Sequence, residues 1–222
     1  MNFHTLYNFV TGPLAWAAFV IFIGGILGRF IYMVQLARKK DPFIFNYTKL
    51  KWGLRSIIMW SIPFMPRNGR LNPAMTVVTF AFHICLILTP LFVMGHVLNW
   101  KQGFFGFSLP SLPDAWADIM TVVVVAGCVY FAVRRIVQPE AKYVTTLSDF
   151  LLLLLVAFPF VTGFLAYHQI FDYKVMIILH IVSGEIWLAA VPFTWLVHMM
   201  FAPMIRAYMG SEFGGVRHVK DW

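Results

Sequence analysis

Five stretches of this chain, Leu14 to Leu36, Ala74 to Asn99, Trp116 to Val133, Thr145 to Tyr167 and Val175 to Ala207, are apolar and long enough to cross a bilayer. Hydrocarbon offers backbone N–H and C=O groups no partner, so a span of about 20 apolar residues has to be a helix. The sequence therefore predicts an all-α fold, one integral membrane domain over residues 1–222 with five transmembrane helices. Hydrophobic residues make up 60% of the chain and charged ones 12%, which excludes an ordinary soluble domain. Met1 to Gly12 holds no Lys or Arg, and the apolar run that follows exceeds a signal-peptide core, so the first helix is expected to be retained. The two cysteines, Cys85 and Cys128, both fall inside expected spans, which leaves neither a disulfide framework nor a Cys-ligated cluster.

Lys and Arg favour cytoplasmic loops and so orient a bundle. Arg38, Lys39, Lys40, Lys49, Lys51, Arg55, Arg67 and Arg70 crowd the connection between the first two spans. Arg134, Arg135 and Lys142 follow the third span, and Arg206, Arg217 and Lys220 lie in the C-terminal segment. The two opposite loops carry only Lys101 and Lys174. This asymmetry predicts the N-terminus outside and the C-terminus inside. It also accounts for the net charge of +8 without nucleic acid, for which no motif is present.

Between the first two spans, Tyr47 to Ile62 places Leu50, Leu54, Ile57 and Ile58 on one helical face, with Lys49, Lys51 and Arg55 elsewhere. The pattern suits an amphipathic helix in the lipid interface or a docking surface for a cytoplasmic partner. The loop Trp100 to Pro113 is aromatic and rich in Gly and Pro, as expected of a short re-entrant or capping loop.

Four of the seven histidines sit within two spans: His83 and His96 in the second, His180 and His198 in the fifth. Ionisable side chains in lipid are costly and functional by default. A lone histidine can simply hydrogen-bond a neighbouring helix, but two pairs are harder to explain that way. The second and fifth spans run in opposite directions, so His96 and His180 are expected near the outer surface and His83 and His198 in the inner half. At about 1.5 Å per residue the members of each span lie roughly 20 and 27 Å apart. Two layers of paired imidazoles are what two six-coordinate haems b require, because each porphyrin leaves only two axial positions to the protein. An 18-residue step is five full turns at about 3.6 residues per turn, so His180 and His198 are expected to share one face. The 13-residue step leaves His83 and His96 roughly 140° apart, with Pro90 between them as a candidate kink. Gly95 beside His96, and Gly184 one turn beyond His180, offer room for a flat macrocycle.

The fifth span, LHIVSGEIWLAAVPFTWLVHMMFAPMIR, resembles the closing helix of the gamma subunit of respiratory nitrate reductase, a dihaem cytochrome b, and the second span, FHICLILTPLFVMGH, resembles its FH…GH helix with three extra residues. Similar subunits occur in the Hmc, Tmc and Dsr kinds of redox complex in sulfate-reducing bacteria. The resemblance implies that His83, His96, His180 and His198 ligate two haems b. It further implies electron traffic between a periplasmic multihaem cytochrome c, menaquinone or another quinone, other membrane subunits and a cytoplasmic iron–sulfur subunit. Where nitrate reductase has a quinol-site lysine after a Leu-Pro, this chain has Ala117 after Leu112 and Pro113.

Glu185, His168 and Lys101 are candidates for a quinone or proton site, set against simpler roles as a helix-to-helix hydrogen bond or wet surface groups. Arg29 is a candidate partner for a haem propionate, or snorkels to the interface. Asp149 suits the positive end of the fourth helix. Two rival functions stand beside the cytochrome: a transporter subunit whose histidines relay protons, and a haem-free membrane anchor.

Overall fold

The computed structural model describes residues 2–104 and 106–222, is 83% helical and, among those residues, has no strand. Five helices are long and apolar enough to span a membrane, so the protein is a multi-pass membrane protein. They are α1 (Phe3–Lys40), α3 (Pro73–Phe92), α5 (Asp114–Val137), α6 (Leu147–Tyr167) and α7 (Tyr173–Phe193, α-helical to Ala190). Among the shorter helices that flank them are α2 (Leu50–Trp60), α4 (Met94–Asn99) and α8 (His198–Gly210). All five expected spans are present, but two of them are broken.

The second span is not one helix from Ala74 to Asn99. The helix runs through Pro90 and stops at Phe92, and Val93 takes an extended conformation (φ −66°, ψ 138°) before α4 begins. Such a break costs the backbone bonds that the carbonyls of Pro90, Leu91 and Phe92 would accept from one turn later, and a bare carbonyl in lipid is expensive. Each finds another donor. His96 Nδ1 reaches Pro90 O at 2.7 Å, Trp100 Nε1 reaches Leu91 O at 3.3 Å, and the Leu112 N–H reaches Phe92 O at 2.8 Å. The loop Trp100 to Pro113 thus does cap the helix end, although Phe105 within it lies outside the described residues.

The fifth span likewise does not continue to Ala207. Its α-helix ends at Ala190, and two 3₁₀ turns, Val191–Phe193 and Trp195–Val197, flank an extended Thr194 (φ −122°, ψ 179°). Pro192 lacks the N–H that would continue the ladder. Thr194 Oγ1 then restarts the chain by accepting the Leu196 N–H at 3.3 Å, and α8 begins at His198. The expectation that His180 and His198 share one face through five unbroken turns is therefore incorrect.

Packing divides the chain into two compact units, where the sequence alone suggests one domain. The first comprises Val78–Gly184 with the N-terminal residues to Tyr7; the second comprises Asn8–Val77 and Glu185–Trp222. In the first, α3 meets α5 where a Cβ at Gly127 would stand 2.8 Å from the Phe82 ring. Arg135 on α5 pairs with Asp149 on α6 at 3.4 Å. Asp149 also closes a capping box with Thr146, as its place at the helix start leads one to expect. In the second unit, Ile26 of α1 packs with Val191, Val197 and Phe201. Gly25 is flush with Pro192: a Cβ there would come within 2.5 Å of the proline ring. At the end of α8, Arg217 and Tyr208 donate to Glu212, and these bonds hold its carboxyl below the usual carboxylate range.

Candidate functional site

The first unit brings two of the four span histidines face to face. His96 on α4 and His180 on α7 stack with ring centroids 5.7 Å apart and planes 21° from parallel, their Nε2 atoms separated by 3.4 Å. Each ring is anchored from behind by a carbonyl at a proline. His96 Nδ1 bonds Pro90 O, and His180 Nδ1 bonds Pro159 O at 2.8 Å. A carbonyl can only accept, so Nδ1 carries the proton in both rings and Nε2 is the basic nitrogen. Two neutral imidazoles held this way point lone pairs at each other. That is unfavourable unless a proton or a cation stands between them.

Sequence features explain why the anchors are there. Pro159 lies inside α6, which stays helical through it, and its carbonyl takes His180 together with the Thr162 hydroxyl at 3.2 Å. Gly163, one turn further on, makes room for the imidazole: a Cβ there would stand 2.9 Å from both Cε1 and Nδ1 of His180. Ser183 on α7 donates to His180 O at 2.9 Å and lies 3.5 Å from Thr162 Oγ1, a second tie between α6 and α7. Gly163 is absent from the residues expected from the sequence, yet its spacing of four from Pro159 is a readable signal. Gly95 and Gly184 have nothing within 4 Å of the place where a side chain would start.

His83 lies in the same unit as that pair, and His198 belongs to the other. Each again bonds a main-chain carbonyl through Nδ1, His83 to Thr79 O at 2.7 Å and His198 to Trp195 O at 2.8 Å. All four histidines are therefore the same tautomer, with Nε2 as the basic nitrogen. Backbone carbonyls on the second ring nitrogen are the usual support of metal-ligating imidazoles.

The donor set, two Nδ1-anchored imidazoles facing each other through Nε2, is of the kind that haem takes. The 3.4 Å between Nε2 atoms is about 0.6 Å short of the roughly 4.0 Å that two in-line imidazole–metal bonds of about 2.0 Å span, so the two rings would have to part slightly to take a metal between them. Among the described residues no three His, Cys, Asp or Glu side chains gather into a metal-binding group. A site built from two imidazoles suits a metal that brings four equatorial nitrogens of its own.

The remaining candidates are dispersed. Both carboxyl oxygens of Glu185 are buried with no hydrogen-bond partner among the described residues. His168, at the end of α6, bonds Asp118 Oδ1 through Nε2 at 3.0 Å and lies against Phe164, ring centroids 4.3 Å apart and planes tilted by 47°. Asp118, missed in the sequence, fixes that ring in place. Lys101 and Arg29 are exposed.

No family model matches the chain, and no solved structure matches it significantly. A protein of Nitratidesulfovibrio vulgaris (strain Hildenborough) is 38% identical to it over 212 residues, which cover 94% of this chain and 93% of the relative. Identity at that level along nearly the whole of both chains has one consequence: the chain belongs to the same family as that Nitratidesulfovibrio vulgaris protein.

Proposed function

We propose that this protein is a b-type cytochrome subunit of a bacterial membrane redox complex, holding two haems b and passing electrons across the cytoplasmic membrane. The observation that carries the reading is the opposed pair His96 and His180, two Nδ1-protonated imidazoles with Nε2 atoms 3.4 Å apart. Haem, when bound, supplies reversible one-electron chemistry at iron. The chain's own contribution is to fix both axial imidazoles by Pro90 O and Pro159 O, raise the basicity of Nε2, and leave open space beside Gly95 and Gly184.

For the second haem we propose His83 and His198, on the sequence layers and on the tautomer that each ring has within its own unit. The charge asymmetry of the loops supports an orientation with the C-terminus in the cytoplasm. Arg29 and the glycines Gly95 and Gly184 belong to the proposed haem surroundings. Glu185, His168 with Asp118, and Lys101 are the candidates for proton exchange with menaquinone or another quinone. The proposed partners are a periplasmic multihaem cytochrome c, a cytoplasmic iron–sulfur subunit and other membrane subunits. A relative in a sulfate-reducing bacterium is consistent with this setting. A reduced-minus-oxidised optical spectrum of the purified chain tests the reading: the expected result is the sharp α band of a six-coordinate, low-spin haem b. A featureless spectrum from haem-replete cells would favour the haem-free anchor or the proton-relaying transporter.

A further inference from the structure

The connection between the first two spans carries a helix whose two faces have opposite fates, and both are described within the second unit. One face of α2 is closed by the C-terminal residues. Lys49 and Ser211 exchange bonds, the Lys49 N–H donating to Ser211 Oγ at 3.0 Å and that hydroxyl lying 3.3 Å from Lys49 O. Gly53 meets Ala207, where a Cβ would be 3.1 Å from its methyl group, and a Cβ at Gly210 would collide with Trp52 O. Beyond α8 the chain folds back over the helix. Ser56 donates to Asp221, the Trp60 indole donates to Asp221 O at 3.0 Å, and the Arg55 guanidinium sits between the rings of Trp52 (4.2 Å) and Trp222 (4.7 Å). Arg206 lies 4.1 Å over Trp60. Cation–π contacts of this kind strengthen as water leaves them.

The opposite face is apolar and bare. Leu50 is 77% exposed, Leu54 47% and Ile58 55%, spaced four apart so that they form one stripe, and Ile62, just past the helix end, is also exposed. The structure thus reverses the usual arrangement of a surface helix, because the Arg, Ser and Trp side is the one turned inward. Phe43 and Phe45, just before the helix, are exposed as well.

We infer that the Leu50–Leu54–Ile58 stripe is a binding surface for an anionic membrane, and that the C-terminal residues Asp221 and Trp222 set the roll of α2 that aims it there. Two observations select lipid as the occupant. First, the segment is tied at both ends to spanning helices. Leu50 follows the end of α1 at Lys40 by ten residues, a reach of at most about 35 Å, and Ile62 precedes α3 by eleven. Second, the charge complements anionic headgroups. Residues 38–72 hold Arg38, Lys39, Lys40, Lys49, Lys51, Arg55, Arg67 and Arg70 against the single acid Asp41, a balance of 8 − 1 = +7, and that acid accepts from Tyr47 Oη at 2.9 Å. Lys49 and Lys51 flank the stripe and are exposed, the disposition of a helix lying at the headgroup boundary. This inference is independent of haem.

The test uses the full chain with Cys85 and Cys128 replaced by Ala, reconstituted in nanodiscs containing phosphatidylglycerol, with single nitroxide labels at positions 50, 54, 58 and 59. Labels at 50, 54 and 58 should collide more with lipid-dissolved oxygen than with an aqueous nickel chelate, and the label at 59, on the side covered by the C-terminal residues, should collide with lipid-dissolved oxygen much less than its neighbour at 58. Deleting Asp221 and Trp222 should abolish that contrast between 58 and 59 while the haem spectrum, if present, stays unchanged. Water-exposed labels along the stripe in the full-length chain would overturn the proposal and leave the surface to a protein partner. Persistence of the contrast after the deletion would overturn the role given to the C-terminal residues.

Discussion

His96 and His180 meet with their Nε2 atoms 3.4 Å apart because each is held from behind by the carbonyl of a proline, Pro90 for one and Pro159 for the other. The two prolines lie in apolar helices where their missing N–H groups look like defects. Their carbonyls are instead the fixed points of the site. A backbone acceptor on Nδ1 leaves one nitrogen for a metal and prevents the ring from turning over.

If this pair ligates one haem, then His96→Ala and His180→Ala should each remove the same component of the difference spectrum and spare the other. His83→Ala and His198→Ala should each remove the remaining component. Redox titration at several wavelengths separates the two. Loss of a shared component in His83→Ala and His180→Ala would contradict the pairing.

Gly163 offers a test that touches no ligand. A methyl group there would stand 2.9 Å from the His180 ring, closer than real contacts, in a helix that cannot retreat without losing the Pro159 bond. Gly163→Ala should displace His180, weaken the His96–His180 haem component and cost about 1–3 kcal/mol of stability. Gly12→Ala, with open space at its Cβ position, is the control that should keep both components. An unaltered spectrum in Gly163→Ala would contradict the packing described for His180.

The break in the fifth span depends on a second close fit. Gly25 on α1 lies against Pro192, so Gly25→Leu should overpack this contact and lower stability by about 1–3 kcal/mol, read as a fall in the thermal midpoint in detergent. The Pro192→Ala, Gly25→Leu double variant should recover part of the loss, because the two sites are in contact and couple. A midpoint for Gly25→Leu equal to that of the parent would rule the contact out.

The number of spans was legible in the sequence because it rests on composition, which lipid reads directly, and His96 and His180, singled out in opposed spans, do meet. The breaks at Val93 and Thr194 were not. Whether a helix can stop in hydrocarbon depends on donors brought from elsewhere, and the donors to Leu91 O and Phe92 O are Trp100 Nε1 and the Leu112 N–H in the following loop. The stripe on α2 was visible as a helical period. The identity of its inward face was not, since Asp221 and Trp222 reach it from more than 160 positions away. Asp118 escaped notice for the same reason, 50 residues from His168.

If the chain carries electrons as proposed, a partner has to take them onward, because Cys85 and Cys128 are free cysteines and the sequence holds no nucleotide-binding fingerprint. Extraction in mild detergent should recover it with an iron–sulfur protein, detected by electron paramagnetic resonance of the complex. An isolated chain that reduces a soluble acceptor unaided at the full rate of the membrane would contradict that dependence.

The central claim is that the four Nδ1-anchored histidines serve haem, and the pyridine haemochrome assay on the purified chain addresses it most directly. Two haems b per chain is the predicted value, falling to one in His180→Ala. A value near zero for the parent chain, expressed under haem-replete conditions, would contradict the account.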